Sequence, residues 1–376
     1  MIGVSVLGST GSIGRSTLAV LERHRDRFRV VALAARHNRE LLEAQEARFR
    51  PVLTVLTEPA AGAPDHWATE DEGLVAAATH PDARIVVNAV VGAAGLEATL
   101  AALESGKRLA LANKESLVAG GPLVLDALSR GGGELIPVDS EHSAILQCLP
   151  GGAPLGVRRL ILTASGGAFR EWPQERLETV TPLDALRHPT WDMGPKITVD
   201  SATLANKALE VVEAYFLFDL PYDRLETVVH PQSIVHSMVE FEDGSVLSQM
   251  GFPTMELPIL YALTHPDRVP DGVRPFDPVK AGPLTFEPVD HDRFPTFGLG
   301  VAAGRAGGTG PAAFNAGNEV AVAAFLGGVV RFVDIPRVIE RTLEACGTSP
   351  IRSLDDVRTA DRAARERARA IIEELK

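Results

Sequence analysis

The chain has 376 residues, of which 45% are hydrophobic and 23% are charged, and its formal net charge is −12. This length predicts two or three domains of an ordinary globular protein. The negative charge leaves no basic surface for nucleic acid or for an anionic membrane, so we expect neither as a partner. The two cysteines, Cys148 and Cys346, fit no metal spacing and no disulfide framework, which predicts a reducing, cytoplasmic location.

The first part of the chain alternates short apolar runs with amphipathic segments. The apolar runs predict strands at residues 2–7, 30–35, 85–91, 108–112 and 134–138. A glycine turn leads into a helix that ends near His24, and a second helix is predicted at residues 39–49. Strands that alternate with helices predict parallel βαβ units. The fold class is therefore α/β, with a Rossmann-like parallel sheet in a domain of residues 1–140.

A second α/β domain is predicted at residues 141–269. Its signals are a strand at 160–163, a long helix from about Ser201 to Phe218, and strands near 228–229, 234–241 and 245–250, with a hairpin turn at Asp243-Gly244. Residues 270–295 are rich in proline and glycine and predict a linker. Helical patterns at 314–326, 335–345 and 354–375 predict a small C-terminal bundle in residues 296–376.

A glycine-rich turn follows the first predicted strand and opens the first helix. Its residues are Gly8, Ser9, Thr10, Gly11, Ser12, Ile13 and Gly14. Glycine lets the backbone approach a pyrophosphate, and the helix N-terminus offers N–H groups and a positive dipole end to it. The spacing is a shifted form of the dinucleotide-binding pattern, and its position between strand and helix predicts a dinucleotide site.

The end of the second predicted strand indicates which dinucleotide binds. An NAD site places an acid there for the ribose 2′-hydroxyl. This chain has Arg36-His37-Asn38 instead, and no acid precedes Glu40 within that segment. Because a carboxylate would repel a 2′-phosphate whereas Arg36 could pair with it, NADPH is the predicted cofactor.

Acidic residues after the last strand of the first domain suggest a metal site. If strand geometry continued, Asp139 and Glu141 would point to one face. Two carboxylates at the end of a parallel strand suit a hard cation such as Mg²⁺ or Mn²⁺, but a third oxygen ligand is needed. Glu210 is one candidate for this ligand, and Glu213, one turn along the same helix, is the other.

The segment from His188 to Glu213 is unusually rich in residues that carry chemistry. Small polar donors and a cation suit a phosphate, and a carboxylate suits a metal or a proton. The cations are notable because only six of the 37 basic residues are lysines. Two of them stand in Asn-Lys pairs, Asn113-Lys114 and Asn206-Lys207, where a compact ammonium could be required.

These motifs occur together, and in order, along nearly the whole chain. They are the glycine turn at Gly8 to Gly14, Leu111-Ala112-Asn113-Lys114-Glu115-Ser116, Val138-Asp139-Ser140-Glu141-His142, Thr163-Ala164-Ser165-Gly166-Gly167, residues 188–193, Val199 to Ala202, Asn206-Lys207, Glu210 and His230 to Ser237. With them the chain resembles the 1-deoxy-D-xylulose 5-phosphate reductoisomerase family. It departs from the usual pattern at Ala164, Ala168 and Ala208, at Arg36-His37, and at Thr254 and Glu256.

The resemblance implies roles for individual residues. It implies that Asp139, Glu141 and Glu210 bind the metal, with Co²⁺ as a further candidate ion, and that Lys114, Glu141 and His188 are catalytic. The implied substrate contacts are Lys114, Glu115, Ser140, Ser165, His188, Trp191, Met193, Ser201, Asn206 and Lys207. Besides the glycine turn, the implied cofactor contacts are Arg36, His37, Asn38, Asn113, Glu115 and Gly194. A loop carrying His188, Trp191 and Met193 is expected to close over the substrate.

The implied reaction is a two-stage conversion of 1-deoxy-D-xylulose 5-phosphate to 2-C-methyl-D-erythritol 4-phosphate, in the non-mevalonate isoprenoid pathway. A metal-assisted rearrangement, retro-aldol followed by aldol, precedes hydride transfer from NADPH. The family implies a homodimer with a small sugar phosphate as substrate. Two alternatives remain at this point: a metal-independent dehydrogenase of the semialdehyde type, and a non-catalytic NADP-sensing protein.

Overall fold

The computed structural model describes residues 1–58, 62–191, 193–272 and 274–375. The strands are β1 (Ile2–Leu7), β2 (Phe28–Ala35), β3 (Leu53–Leu56), β4 (Ala68–Thr69), β5 (Ile85–Asn88), β6 (Arg108–Leu111), β7 (Glu134–Pro137), β8 (Val157–Ala164), β9 (Leu225–Val229), β10 (Val235–Phe241), β11 (Val246–Met250) and β12 (Glu287–Pro288). The helices are α1 (Ser12–Arg23), α2 (Arg39–Phe49), α3 (Glu70–Thr79), α4 (Leu96–Glu104), α5 (Lys114–Gly131), α6 (Ser140–Cys148), α7 (Pro182–Ala185), α8 (Pro195–Ala202), α9 (Ala205–Phe218), α10 (Glu256–Thr264), α11 (Pro278–Ala281), α12 (Pro295–Ala306), α13 (Gly310–Leu326), α14 (Ile335–Cys346) and α15 (Leu354–Leu375).

Contacts divide the chain into two compact units. The first unit comprises Met1–Ser116, Pro122–Ser143 and Thr254–Arg274, and the second comprises Leu117–Gly121, Ala144–Pro253 and Pro275–Lys376. The first unit therefore includes α10, which follows β11 in sequence. Among the described residues, no helix combines the length and the apolar content needed to cross a bilayer.

The first unit contains a parallel sheet of seven strands in the order β4-β3-β2-β1-β5-β6-β7. Its pairs are parallel, as the alternating strand and helix pattern predicted. The central strands are buried along almost their whole length, as expected of strands covered on both faces. The strand order reverses direction at β1, which pairs with both β2 and β5. In open α/β sheets, ligands bind at the carboxyl ends of the strands beside such a reversal.

The second unit contains a mixed sheet in the order β11-β10-β8-β9-β12. The β8–β9 pair is parallel, whereas β10 is antiparallel to both β8 and β11. The predicted hairpin at Asp243-Gly244 is confirmed, and Gly244 has a φ of +84°, which explains the glycine. The short strand β12 lies within the proline-rich segment and pairs with β9.

The helical core of the second unit is formed by α8, α9 and the C-terminal helices α12 to α15. Its largest members are aromatic, including Phe169, Phe314 and Phe325, which are 1% exposed. The helices predicted at 314–326, 335–345 and 354–375 are present as α13, α14 and α15. The three predicted C-terminal helices are therefore confirmed.

Two local predictions are wrong at element boundaries. The single helix expected from Ser201 to Phe218 is divided, because Leu204 adopts a left-handed conformation with a φ of +57° between α8 and α9. Ser201 consequently lies in the last turn of α8 and does not begin a helix. The strand geometry assumed for Asp139 and Glu141 is also absent, because β7 ends at Pro137 and α6 begins at Ser140.

Candidate functional site

The glycine turn of the first unit connects the carboxyl end of β1 to α1. Gly8 has a φ of +81°, and a Cβ there would lie 2.4 Å from the carbonyl oxygen of Ala89. A Cβ on Gly14 would lie 2.2 Å from the Gly8 carbonyl oxygen. The side-chain amide of Gln45 donates to the Ser9 carbonyl at 2.9 Å, which supports the turn from α2. Glycine is therefore required at both positions because the turn packs closely against itself and against the loop after β5. Gly11 and Ser12, at the N-terminus of α1, remain exposed, and a helix N-terminus is where a pyrophosphate is expected to bind.

Arg36 follows β2, where the sequence placed it, but it has an acidic neighbour. Its Nε donates to Glu58 Oε1 at 2.6 Å, and the Arg36 and Glu58 side chains are 73% and 54% exposed. Glu58 follows β3, so the prediction, which considered only the β2 end, missed this acid. The predicted cofactor residue Asn38 caps α2, since its Oδ1 accepts the Leu41 N–H. Arg36, the cation predicted to bind a 2′-phosphate, is thus present but already paired with Glu58. His37 lies between Arg36 and Asn38 in sequence.

Asn113 and Glu115 lie at the carboxyl end of β6 and are nearly buried. The Asn113 amide donates to the carbonyls of Val90 and Gly92, at 2.7 and 2.8 Å, and to Glu115 Oε2 at 3.2 Å. Asn113 therefore holds the loop that follows β5 beside the loop that follows β6. This is a positioning contribution at the strand ends where the cofactor is predicted to bind.

Lys114 and the acidic segment after β7 form a polar cluster in the first unit, in which Lys114 is buried and Asp139 and Glu141 are partly buried. Lys114 Nζ donates to Asp139 Oδ2 at 2.6 Å, and the two side chains are 8% and 11% exposed. The other carboxylate oxygen of Asp139 accepts the Glu141 N–H at 3.1 Å, and Ser140 Oγ donates to Glu141 Oε2 at 3.0 Å. Carboxylate oxygens are the donors that a hard divalent cation prefers, so the chemistry of Asp139 and Glu141 fits Mg²⁺.

In the second unit, Ser165, His188 and Ser201 form a compact cluster of donors. His188 Nε2 lies 3.0 Å from Ser165 Oγ and 3.1 Å from Ser201 Oγ, and the two hydroxyl oxygens are 3.4 Å apart. Ser165 follows β8 in a turn whose two glycines have positive φ, and a Cβ on Gly167 would lie 2.5 Å from the Ser201 carbonyl oxygen. Close backbone packing between this turn and α8 therefore brings the two serines together.

The hydrogen bonds of His188 determine its tautomer. Its Nδ1 accepts the N–H groups of Thr190 and Trp191, at 3.1 and 2.9 Å, so the proton of the neutral ring is on Nε2, facing the serines. Burial lowers the pKa of His188 to about 4, so the ring is neutral near pH 7. His188 thus connects the serine pair to the start of the predicted closing loop.

The rest of the closing loop leads into α8. The Trp191 ring lies 6.3 Å from the ring of His236, and Thr198 Oγ1 donates to the Gly194 carbonyl at 2.8 Å. The carbonyl of Met193 is a longer acceptor for the same hydroxyl, at 3.4 Å. Asp192, which belongs to the predicted loop, lies outside the described residues.

Helix α8 is attached to the C-terminal helices through Asp200, which the sequence analysis did not identify. Asp200 is 1% exposed, and its carboxylate receives Lys196 Nζ at 2.8 Å and Asn318 Nδ2 at 2.9 Å. Because Asn318 is 118 residues away in sequence, no local signal could have revealed this contact. The bonds hold α8, and therefore Ser201, against α13.

The first turns of α9 carry the predicted phosphate donors and a predicted metal ligand on one surface. Asn206 Nδ2 donates to Glu210 Oε1 at 2.5 Å, and Lys207 Nζ donates to Glu210 Oε2. Lys207 is 5% exposed, and Glu210 and Glu213 are each 1% exposed. The predicted donors and the predicted ligand therefore bond to one another within the helix.

The surroundings of His230 and of the two cysteines indicate structural and not catalytic roles. The ring of His230 is fully buried, its Nε2 accepts the N–H groups of Ile234 and Val235, and its Nδ1 lies 2.8 Å from the Thr285 carbonyl. Neither Cys148 nor Cys346 forms a disulfide bond, and burial raises the pKa of Cys346. A raised pKa disfavours the reactive thiolate that a semialdehyde-type dehydrogenase would need.

Comparison with known proteins gives one consistent result. The family model for 1-deoxy-D-xylulose 5-phosphate reductoisomerase matches residues 4–121, and two models for the C-terminal domain of that enzyme match residues 135–218 and 250–367. The reductoisomerase of Thermosynechococcus vestitus is 51% identical over 99% of this chain and 92% of its own length. That of Crocosphaera subtropica is 52% identical over 96% of this chain and 94% of its own length.

Solved structures agree with the sequence relatives. The Zymomonas mobilis reductoisomerase in complex with NADPH is 44% identical, has a TM-score of 0.91 and is matched over 99% of both chains. A reductoisomerase in complex with NADPH, fosmidomycin and magnesium is 39% identical and has a TM-score of 0.94, over 100% of this chain and 99% of the other. Together with the glycine turn, the acidic segment after β7 and the donor cluster, these matches show that the chain belongs to the 1-deoxy-D-xylulose 5-phosphate reductoisomerase family.

Proposed function

We propose a division of work among the residues of this chain for the reaction that defines its family. The chain is an NADPH- and divalent-metal-dependent enzyme that rearranges and reduces 1-deoxy-D-xylulose 5-phosphate to 2-C-methyl-D-erythritol 4-phosphate, in the non-mevalonate isoprenoid pathway. Membership of this family removes the two alternatives, the semialdehyde-type dehydrogenase and the NADP-sensing protein. The assignment of residues 1–140 to NADPH, 141–269 to metal and substrate, 270–295 to a linker and 296–376 to a helical domain remains a proposal.

The glycine turn at Gly8 to Gly14 holds the pyrophosphate of NADPH, and Arg36 pairs with its 2′-phosphate. Asn113 and Glu115 stabilise the adjoining strand ends, and Gly194 completes the cofactor contacts. The conformational requirement at Gly8 and Gly14 supports this proposal, because a Cβ at either position would collide with backbone atoms and displace the turn that leads into α1. NADPH supplies the hydride for the reductive stage.

Asp139, Glu141 and Glu210 are proposed as the ligands of one divalent cation, with magnesium as the ion bound in the solved relatives. When bound, such a cation polarises the ketone and the neighbouring oxygens of the substrate. Lys114 holds a proton at Nζ beside the same oxygens, and Ser140 orients Glu141 through the hydrogen bond between their side chains. Glu141 accepts and returns a proton during the rearrangement.

The observation that carries the substrate proposal is the cluster of Ser165, His188 and Ser201. The two hydroxyls and the imidazole N–H are uncharged donors, and all three can donate hydrogen bonds to phosphate oxygens. Asn206 adds an amide and Lys207 an ammonium, while Trp191 and Met193 on the closing loop exclude water. Holding the fragments of the rearranging skeleton beside the nicotinamide is the main task of these contacts.

The direct test follows NADPH oxidation with 1-deoxy-D-xylulose 5-phosphate, with and without Mg²⁺. We expect turnover that a chelator abolishes and Mg²⁺ restores. Glu210→Gln should weaken metal binding and turnover while NADPH binding persists, because the change keeps the shape and removes one charged ligand. Glu213→Gln is the matched control on the same helix. If Glu213→Gln abolishes metal dependence and Glu210→Gln does not, the wrong carboxylate has been assigned.

Two further features are proposed from the family and the composition. The family implies a homodimer, which sedimentation of the purified protein would establish. A cytoplasmic location is proposed from the sequence, whose two cysteines make no disulfide framework, and is tested by fractionation of the native cell. A secreted or membrane-associated protein would contradict the second proposal.

A further inference from the structure

The two lysines proposed to bind substrate are each bonded to an acid proposed to bind the metal. In α9, Lys207 Nζ donates to Glu210 Oε2, and Asn206 Nδ2 donates to Glu210 Oε1 at 2.5 Å. Both oxygens of Glu210 thus receive a donor from the same helix. Because Lys207 and Glu210 are 5% and 1% exposed, water screens this pair only weakly.

The first unit contains the same arrangement on unrelated elements. Lys114, at the start of α5, donates to Asp139 Oδ2 at 2.6 Å, and the two side chains are 8% and 11% exposed. The pairs differ in sequence separation, three residues in one and 25 in the other, so a helical repeat cannot explain both. A buried carboxylate needs a compensating charge, and in each pair an ammonium provides it.

Each ammonium competes directly with a divalent cation for the same carboxylate oxygen. Lys207 also cannot direct its N–H groups fully to a phosphate while one of them is held by Glu210. We infer that the two lysines act as exchangeable counter-ions: the cation displaces Lys207 from Glu210 and Lys114 from Asp139, and the released ammonium groups then bind substrate oxygens. This inference rests on the ligand and substrate roles assigned under the proposed function.

The exchange has a thermodynamic consequence for the order of events. A cation that frees Lys207 strengthens the binding of a phosphate to that lysine, and by linkage the phosphate strengthens the binding of the cation. The enzyme therefore holds its substrate strongly only when the metal is present. A sugar phosphate bound without the metal could not be converted, so the coupling favours the productive complex.

The first experiment measures Mn²⁺ affinity by electron paramagnetic resonance, with the full chain and no phosphate compound. Lys207→Gln removes the competitor from Glu210, and the Mn²⁺ affinity should rise on the order of tenfold. Lys114→Gln, which removes the ammonium beside Asp139, should raise the Mn²⁺ affinity similarly. This second variant keeps the test possible if Lys207→Gln does not fold. Lys196→Gln is the matched control, because it removes an ammonium that is paired with Asp200.

The outcomes distinguish failure of the lysine exchange from failure of the metal-ligand assignment on which it rests. Equal affinities in the wild type, Lys207→Gln and Lys114→Gln would overturn the exchange, and so would an equal gain in Lys196→Gln, since the gain would then reflect net charge alone. Glu210→Gln should lower Mn²⁺ affinity. If it does not, the ligand assignment itself fails, whatever the lysine variants do.

A second experiment measures inorganic phosphate binding by calorimetry, with and without Mg²⁺. Inorganic phosphate tests the lysine without the other substrate oxygens. In Glu210→Gln, Lys207 is released permanently, so phosphate should bind more tightly than to the wild type and should no longer respond to Mg²⁺. Glu213→Gln removes the same charge from the same helix and should keep the wild-type response. An equal gain in phosphate affinity in Glu210→Gln and Glu213→Gln would contradict the exchange. If inorganic phosphate binds too weakly to be measured, the Mn²⁺ affinities alone decide.

Discussion

The two glycine turns that follow β1 and β8 are proposed to bind different ligands, and they are built in different ways. The turn after β1 is made of consecutive residues, so the strand, the glycines and the first turn of α1 form one local unit. The turn after β8 contributes only Ser165 and two glycines. Its partners His188 and Ser201 are 23 and 36 residues further along the chain.

The difference shows what each kind of ligand contact requires. A pyrophosphate held by backbone N–H groups needs only the right φ, ψ and open space, which glycine supplies locally. A phosphate held by side-chain hydroxyls and an imidazole needs donors that converge from separate elements. Substitutions that change the backbone of the first turn should therefore be enough to weaken its predicted ligand binding. Ligand binding at the second turn should be weakened by substitutions that disturb its packing against α8.

The largest effect is expected for Gly14→Ala. The new Cβ would meet backbone atoms of Gly8 and Ser9, at 2.2 and 2.5 Å, so the turn must shift. We expect a loss of about 1–3 kcal/mol of unfolding free energy, together with weaker NADPH binding. Gly11→Ala is the control, since its Cβ would meet only the Gly8 carbonyl oxygen at 3.3 Å. Thermal denaturation and NADPH titration measure both effects, and equal losses in the two variants would contradict the local model.

Gly167→Ala should damage the second turn selectively. Its φ is +68°, and the new Cβ would lie 2.5 Å from the Ser201 carbonyl oxygen, which separates the turn from α8. We expect a higher KM for the sugar phosphate with little change in NADPH affinity. Gly156→Ala has the same φ of +68° and no atom within 4 Å, so it measures the backbone strain without the collision. A similar rise in KM for both variants would assign the effect to strain.

The pH dependence of stability should reveal the partly buried His188. Its folded pKa of about 4 lies below the ordinary 6.5, so the unfolded chain binds the proton more readily between these values. Stability should therefore fall as the pH is lowered from 6.5 to 4. Burial also lowers the pKa of His230 and of His265, which adds a decline of the same sign. His188→Asn keeps a hydrogen-bond acceptor for the loop and should remove the part of this stability loss that is due to His188. Melting temperatures measured across this pH range test the prediction. Parallel curves for wild type and variant would contradict the assigned protonation state.

The smallest overall effect is expected at the predicted edge of the cofactor site. A change there should alter cofactor binding and leave the unfolding free energy nearly unchanged, because Arg36 and Glu58 are exposed. Arg36→Asp should weaken NADPH binding by about 1–3 kcal/mol, because a charge-assisted contact with the 2′-phosphate is lost. Glu58→Gln should strengthen NADPH binding slightly, since the acid that shares Arg36 becomes neutral. Binding constants for NADPH and NADH test both changes. Equal use of the two cofactors by the unmodified enzyme would disprove the role of Arg36.

The predicted fold was accurate where the pattern is local. Strand β1 and helix α2 were predicted at their observed bounds, because each is bordered by turn or capping residues. The very short strands β4 and β12 were not predicted, since two residues carry no periodicity. The break at Leu204 was missed because a leucine with positive φ is imposed by its surroundings and has no sequence signal.

The candidate site follows the same division. The sequence by itself determined the residue types: a glycine turn, carboxylates after β7, two Asn-Lys pairs and a histidine-containing loop, all of which local chemistry makes recognisable. Only the tertiary structure decided their partners. It placed Glu58 against Arg36, Asn318 against Asp200, and His188 between two serines. These contacts join residues that are distant in sequence, and their energies depend on burial, which only the folded chain establishes.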